Sequence, residues 1–449
     1  VPGGAANVQD IYPLAPLQEG MYFHHLMSPE RDPYVAPLLL RLEPGCSWSA
    51  FVAAMQQVVD RHDALRTLFV SDGSAQALQV VLRRAALAPN SLPLAATGDV
   101  AQQMSERLAG PHAMALTQAP LLRVEEALDP SDGRRHVLLS LHHIVSDHVG
   151  MALLQQEIVA ALEGRLADQP TPMPYREFVA QSLHRARSGD AEAAFREALA
   201  DVNEPTLMFG LHDVHRDGAT THAAVVALAA PLAVALRETA RSRQLAVATL
   251  FHAAWALVVA ACSGRDDVVF GTVMSGRLQG TRGVERTLGL FINTLPMRLS
   301  LAKLSVEGLV READAALQVL LAHEQAPLSM AHRCSGLRPE QPLFTALLNV
   351  RHATPVVEAS SGAPEHGIQL VGVRERTNYP VSLTVDDDGS GFTIEAQAER
   401  GIDARRLHSL VIEALQGLVR ALKDTPDRPA LALSVLAAPE RQRLLQALR

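Results

Sequence analysis

His142 and His143 lie side by side, and Asp147 follows them after Ile144, Val145 and Ser146, where a strand-like run gives way to a helix-like one. Histidine is the side chain whose ordinary pKa lies nearest neutrality, so a histidine at such a turn is suited to moving a proton on a bound group. From His136 to His143, Val137, Leu139, Leu141 and His143 share one face of a strand, while Leu138, Ser140 and His142 share the other. The two imidazoles therefore point opposite ways. One working histidine is expected, with the other locked into the core. Downstream, Met151, Leu153, Leu154, Ile158, Val159 and Leu162 recur at helical spacing, and Asp147 suits the cap of that helix. Buried beside an arginine, its carboxylate would also stay ionised and hold the turn in shape.

The elements that position this turn belong to a chain of 449 residues, which suits two domains better than one core. Apolar residues make up 48% and charged residues 20%, the balance of a globular protein. A formal net charge of -8 with no dense Lys/Arg tract argues against a nucleic-acid partner. Cys46, Cys262 and Cys334 are scattered, so neither a disulfide framework nor a thiolate metal site is indicated. His142, His143 and His148 crowd together but lack HExxH spacing, and no metal is expected. No targeting or membrane segment is visible, and a reducing cytoplasm fits.

A first lobe is expected over residues 1–174. It includes a helix after Pro13 and Pro16 and an amphipathic stretch from Ser49 to Arg66. The prolines at 170, 172 and 174 mark the boundary, since three prolines so close cannot sit inside a regular element. A second lobe over 175–449 opens with helical runs at Ala191–Leu199, Leu232–Gln244 and Leu250–Cys262 and a strand at Asp267–Met274. Gly271, Gly276, Gly280, Gly283 and Gly289 then punctuate an irregular loop ahead of Phe291–Leu295.

Eight short motifs, in order, resemble the condensation domains of nonribosomal peptide synthetases. They are Tyr12–Met21 (YPLAPLQEGM), Arg61–Phe69 (RHDALRTLF), the HHxxxDG-like run His142–His148, Thr249–Ala256 (TLFHAAWA), Asp267–Gly271 with Ser275–Arg277, Gly289–Pro296 (GLFINTLP), Pro342–Phe344 and Asn378–Pro380. Each is weak alone; their order and spacing make coincidence implausible. The resemblance implies an α/β fold: two chloramphenicol acetyltransferase-like lobes in a V-shaped pseudo-dimer with a central tunnel. It also implies a floor loop at about 275–294, a latch segment at about 365–385, and a C-terminal connector over Pro439–Leu445 that leads toward an adenylation domain.

The implied reaction is attack by a carrier-bound aminoacyl amine on an acyl thioester. The partners implied are an acceptor peptidyl carrier domain with its phosphopantetheine arm and a downstream adenylation domain of the same synthetase, with no permanently bound cofactor. His143 is then the catalytic residue, and His142 packs beneath it. Asp147 forms a structural ion pair with Arg61 or, less favoured, Arg277, and Asn293, in the tunnel floor, either hydrogen-bonds an arm or substrate or caps a turn. The family's signature ends in glycine where this chain has His148. An imidazole there narrows a passage, and where the glycine has positive φ it adds about 1 kcal/mol of strain. His148 thus points to a starter-type domain that N-acylates a first amino acid from acyl-CoA or an acyl-carrier thioester. The residues Asp10–Pro13 and Gln18–Met21 instead resemble elongation domains that take a peptidyl donor of the D or dual type. A noncatalytic recruitment platform is the alternative of another class, and the retained histidines and aspartate speak against it.

Overall fold

The structure is a computed structural model and describes residues 2–71, 76–95, 98–212, 221–278, 282–352, 367–374 and 377–447. The chain forms two compact units. The first comprises Val1–His184 with Gln279–Ile292 and Pro355–Thr377; the second comprises Arg185–Leu278, Asn293–Thr354 and Asn378–Arg449. The expected division, a single cut after residue 174 with everything beyond it in the second lobe, is corrected. The chain first crosses after His184, because the helix Tyr175–Ala186 begins on the first unit's side, and two later segments return to that unit.

The first unit is built on a five-stranded sheet in the order Ile368–Val373, Val35–Leu42, Arg135–His142, Leu122–Leu128 and Asn90–Ser91. All of its pairs are antiparallel except the last. Its central strands are buried on both faces, as a sheet covered on each side requires. The returning strand Ile368–Val373 pairs with Val35–Leu42, which is why that part of the expected latch belongs here. Residues 365, 366, 375 and 376 of that latch, and Gly280 of the glycine-rich loop, lie outside the described residues. A three-stranded antiparallel sheet joins Val8–Pro13, Leu78–Leu82 and Thr67–Val70.

The helix Trp48–Arg61 is capped by Ser47, whose Oγ accepts the Ala50 amide, and it buries Phe51, Ala54, Met55, Val58 and Val59 along one stripe. It packs on the helix His148–Leu162. The amphipathic pattern continues to Arg66, yet the helix stops at Arg61 because His62 is extended and its buried Nε2 is bonded to Glu157. A tertiary hydrogen bond overrides the local pattern there.

The second unit holds a six-stranded sheet in the order Asn293–Ser300, Asp267–Met274, Ala346–His352, Val381–Asp387, Phe392–Glu399 and Thr221–Ala227. Ala346–His352 runs parallel to both of its neighbours and the other pairs are antiparallel. Gly271 is required by close approach: a Cβ there would meet the ring of Phe344, which in turn stacks on Tyr379 at 5.5 Å. The helix Val247–Ser263 is apolar nearly all round and buried, whereas Ala404–Asp424 is strongly amphipathic and capped by Asp403. Among the described residues no single helix is long and apolar enough to cross a membrane.

Candidate active site at a strand-to-helix turn

The strand Arg135–His142 runs into one short turn, His143–Val145, and Asp147 then caps the helix His148–Leu162. His142 is 0% exposed. Its Nδ1 accepts the Ile144 amide at 3.0 Å and its Nε2 lies 2.9 Å from Asp32 Oδ2. A neutral imidazole that accepts at Nδ1 carries its proton on Nε2, so His142 donates to Asp32. Burial lowers the His142 pKa, while the hydrogen bond to Asp32 and its charge oppose the shift. For Asp32, burial alone would raise the pKa. Hydrogen bonds from His142, from His25 Nδ1 at 2.6 Å and from the Tyr34 amide at 2.9 Å outweigh burial and hold the carboxylate well below its usual range.

His143 is half-buried. Its amide donates to the Tyr34 carbonyl at 2.8 Å, which fixes the backbone, and its Nδ1 lies 3.2 Å from the Ser146 carbonyl. A carbonyl only accepts, so the ring proton sits on Nδ1 and the lone pair on Nε2. That Nε2 has no hydrogen-bond partner among the described residues, which leaves a ring nitrogen available as a base. The two adjacent histidines are thus opposite tautomers: His142 is spent on an internal carboxylate, and His143 keeps its base.

Asp147 is 0% exposed. One oxygen accepts the Gly150 amide at 2.8 Å and the other accepts the Phe291 amide at 3.1 Å. The second bond ties the returning segment to the turn, and Tyr175 reinforces it by donating to the Leu290 carbonyl at 2.5 Å. Gly150 is needed here, since a Cβ would come within 2.5 Å of Ser146 Oγ. Gln18 braces the turn from the first motif: its amide donates to the Ile144 carbonyl at 2.7 Å, and its oxygen accepts the Ala15 amide.

The expected Asp147–Arg61 pair is replaced. Arg61 Nε binds Glu157 at 3.2 Å and its guanidinium also donates to the carbonyls of Gln169 and Pro170. Glu157 lies further along the helix that Asp147 opens, and it already accepts from His62. Arg61 therefore supports the turn through the helix and the proline-rich loop. Arg277 lies in the second unit, after Gly276, whose φ of 65° suits glycine and whose amide donates to Glu324.

Asn293 also departs from expectation. Its amide donates to the carbonyls of Glu324 at 3.0 Å and Ala326 at 2.6 Å, and its oxygen accepts the Thr294 amide. Both N–H bonds are used internally, so Asn293 has no donor left for a substrate. His148 is the half-buried first residue of its helix and is absent from the positive-φ positions, so the substitution of glycine carries no backbone strain.

Sequence reading misses Asp32, His25 and Tyr34. No spacing links them to residues more than a hundred positions away, and only folding brings them to the turn. His25, Asp32 and His142 place three ligand-type atoms within 4.8 Å of one another. The tautomer of His142 decides how they are used: a protonated Nε2 has no lone pair for a cation, so the cluster is a hydrogen-bond relay.

Its acid response follows. A carboxylate with a lowered folded pKa contributes stability above its unfolded value, near 4, and that contribution fades as pH falls through the folded pKa. His142 and His252 are buried neutral, with the His252 pKa pushed down to about 4, so the unfolded chain binds their protons first as pH drops below about 6.5. Both effects have one sign. The histidines act first: the urea midpoint is expected to fall from about pH 6.5 to pH 4, with the Asp32 contribution lost only below about pH 4, and a flat midpoint over the upper range would contradict the neutral state of the two buried histidines.

Sequence relatives match the chain along nearly its whole length. Malpinin synthetase of Mortierella alpina is 43% identical over 448 residues, covering 99% of this chain and 6% of that protein. Malpibaldin synthetase of the same organism is 40% identical over 447 residues, covering 99% of this chain and 8% of that protein. The chain thus spans less than a tenth of these relatives. The structure of the first condensation domain of the calcium-dependent antibiotic synthetase superposes with a TM-score of 0.74 over 96% of this chain and 100% of that one, at 17% identity, which speaks for the fold. The Condensation-domain family model matches residues 8–445, a span that contains the histidine turn, all three sheets described above and all eight motifs, and the chain therefore belongs to the condensation-domain family.

Proposed function

We propose that this domain forms an amide bond in a nonribosomal peptide synthetase, with His143 as the base. The observation that carries the reading is the Nε2 of His143, without a hydrogen-bond partner among the described residues, beside an Nδ1 fixed on Ser146. In the step proposed, the aminoacyl nitrogen attacks the thioester carbonyl carbon, Nε2 takes the nitrogen's proton, and as the C–S bond breaks that proton passes to the departing sulfur, releasing the donor arm as its thiol and restoring the free imidazole. Holding amine and thioester together supplies much of the rate, and the base removes the charge that develops on nitrogen. The acceptor is carried on a peptidyl carrier domain, and the adenylation domain that follows the connector belongs to the same assembly.

For the donor, peptidyl elongation has the stronger support. The relatives are more than ten times longer than this domain, and an assembly line of that length has at most one starting position among its many condensation steps. The starter reading, N-acylation from acyl-CoA, rests on the bulk of His148 alone, since its backbone is ordinary helix. Both are tested by supplying a loaded acceptor carrier with either a carrier-bound peptidyl donor or a ladder of acyl-CoAs. Product from the peptidyl donor only is expected, and product from free acyl-CoA only would establish the starter reading. In the same assay His148→Gly is expected to raise kcat/KM for bulkier donors about tenfold relative to the smallest. An unchanged ranking would remove His148 as a gate.

A further inference from the structure

The carboxylate of Asp32 sits where two hydrogen-bond routes to His143 converge. Through Oδ2 it accepts from His142 Nε2 at 2.9 Å, and His142 in turn accepts the amide of Ile144, the residue directly after His143, at 3.0 Å. Through Oδ1 it accepts the Tyr34 amide at 2.9 Å, and the Tyr34 carbonyl accepts the amide of His143 itself at 2.8 Å. One route therefore fixes the peptide after His143 and the other the peptide before its Cα. His25 fastens the carboxylate from behind: its Nδ1 donates to Oδ2 at 2.6 Å, and its ring stands edge-on to that of His142. Asp32 is 2% exposed and His142 is fully buried, so no water competes for these bonds.

We infer that Asp32, fastened by His25, is a positioning residue that sets the placement of the His143 imidazole. This rests on the reading of His143 as the base. A charged acceptor is needed for the purpose. Oδ2 takes two ring N–H donors while Oδ1 takes an amide, so all three donors point at one carboxylate. An asparagine must turn its NH2 toward either the two histidines or the Tyr34 amide. Donor then faces donor along one route, and the backbone of His143 shifts.

The test is a double-mutant cycle on the intact domain, with carrier-bound donor and acceptor. Asp32→Asn is expected to lower kcat by about tenfold or more while the acceptor KM stays within about twofold. In a His143→Ala background the same change is expected to lower the residual rate by less than about twofold, because no imidazole remains to be misplaced. His25→Leu, which removes the outer donor only, is expected to lose about threefold with the same non-additivity, and it serves as the reading variant if Asp32→Asn does not fold. Equal losses in both backgrounds, or full rate in the single variants beside an impaired His143→Ala, would overturn the Asp32 inference alone. Full rate in His143→Ala would instead overturn the base reading on which it rests.

Discussion

Replacing His143 with alanine is expected to lower kcat for amide formation by about 10²- to 10⁴-fold, the range spanned by a positioned acid/base group. The substitution is a clean probe because the side chain is held by its bond to the Ser146 carbonyl at 3.2 Å, while the backbone is held independently through Tyr34. Ser146 also keeps its own backbone bond to the His143 carbonyl, so the turn survives the loss of the ring. Thermal unfolding is therefore expected to move little, and the lost rate reports on chemistry. His143→Gln is expected to lose about as much, since an amide offers no base near neutral pH. Rates for the two variants within about threefold of the parent, measured at saturating carrier-bound donor and acceptor, would remove His143 as the proton acceptor.

The residual rate in those variants has its own meaning. An amine and a thioester held in near-attack geometry react without a base, at a rate set by positioning. A domain that merely recruited other proteins would show no such residual reaction and no loss on changing His143. The size of the step between parent and variant thus separates the catalytic reading from the recruitment reading, which fold alone does not do.

What the sequence makes legible here is local. Alternation along Arg135–His142, helical spacing from Met151 to Leu162 and the strand Asp267–Met274 follow from periodicities of two and 3.6, which any single chain displays. Partner choice is a different kind of information. Arg61 needs a carboxylate, and residue types alone favour Asp147; packing of Trp48–Arg61 against His148–Leu162 instead delivers Glu157. Asp32 stands in a short stretch between Pro29 and Pro33, with nothing in its surroundings to say that His142 will come to it. The return of Ile368–Val373 to the edge beside Val35–Leu42 is likewise a non-local pairing, and a linear division of the chain cannot contain it. Asn293 shows the converse. A polar residue ahead of a strand reads as a ligand group, yet Asn293 opens the strand Asn293–Ser300, and its side chain is consumed by the buried carbonyls of the distant residues Glu324 and Ala326.

Asp147 carries the largest expected effect on stability. Its two oxygens accept buried amides from Gly150 and Phe291, and alanine leaves both donors without their partner in a site with no exposure. An unsatisfied buried donor costs about 1 to 3 kcal/mol, and one of these is also a helix cap, so Asp147→Ala is expected to lose about 4 kcal/mol. For a unit of this size that lowers Tm by about 10 °C. Asp147→Asn retains one acceptor oxygen but turns an NH2 toward the other amide, and is expected to lose about half as much. Amide hydrogen exchange distinguishes this account from a general loosening: protection should fall first at Gly150 and Phe291, where the bonds are cut, and not across the strand Arg135–His142. A Tm within about 2 °C of the parent for Asp147→Ala would mean that the carboxylate does not hold the returning segment. In that case the packing of the Phe291 ring against Tyr175 and Phe178, with the Tyr175 bond to the Leu290 carbonyl, would be enough to keep Phe291 beside the histidine turn.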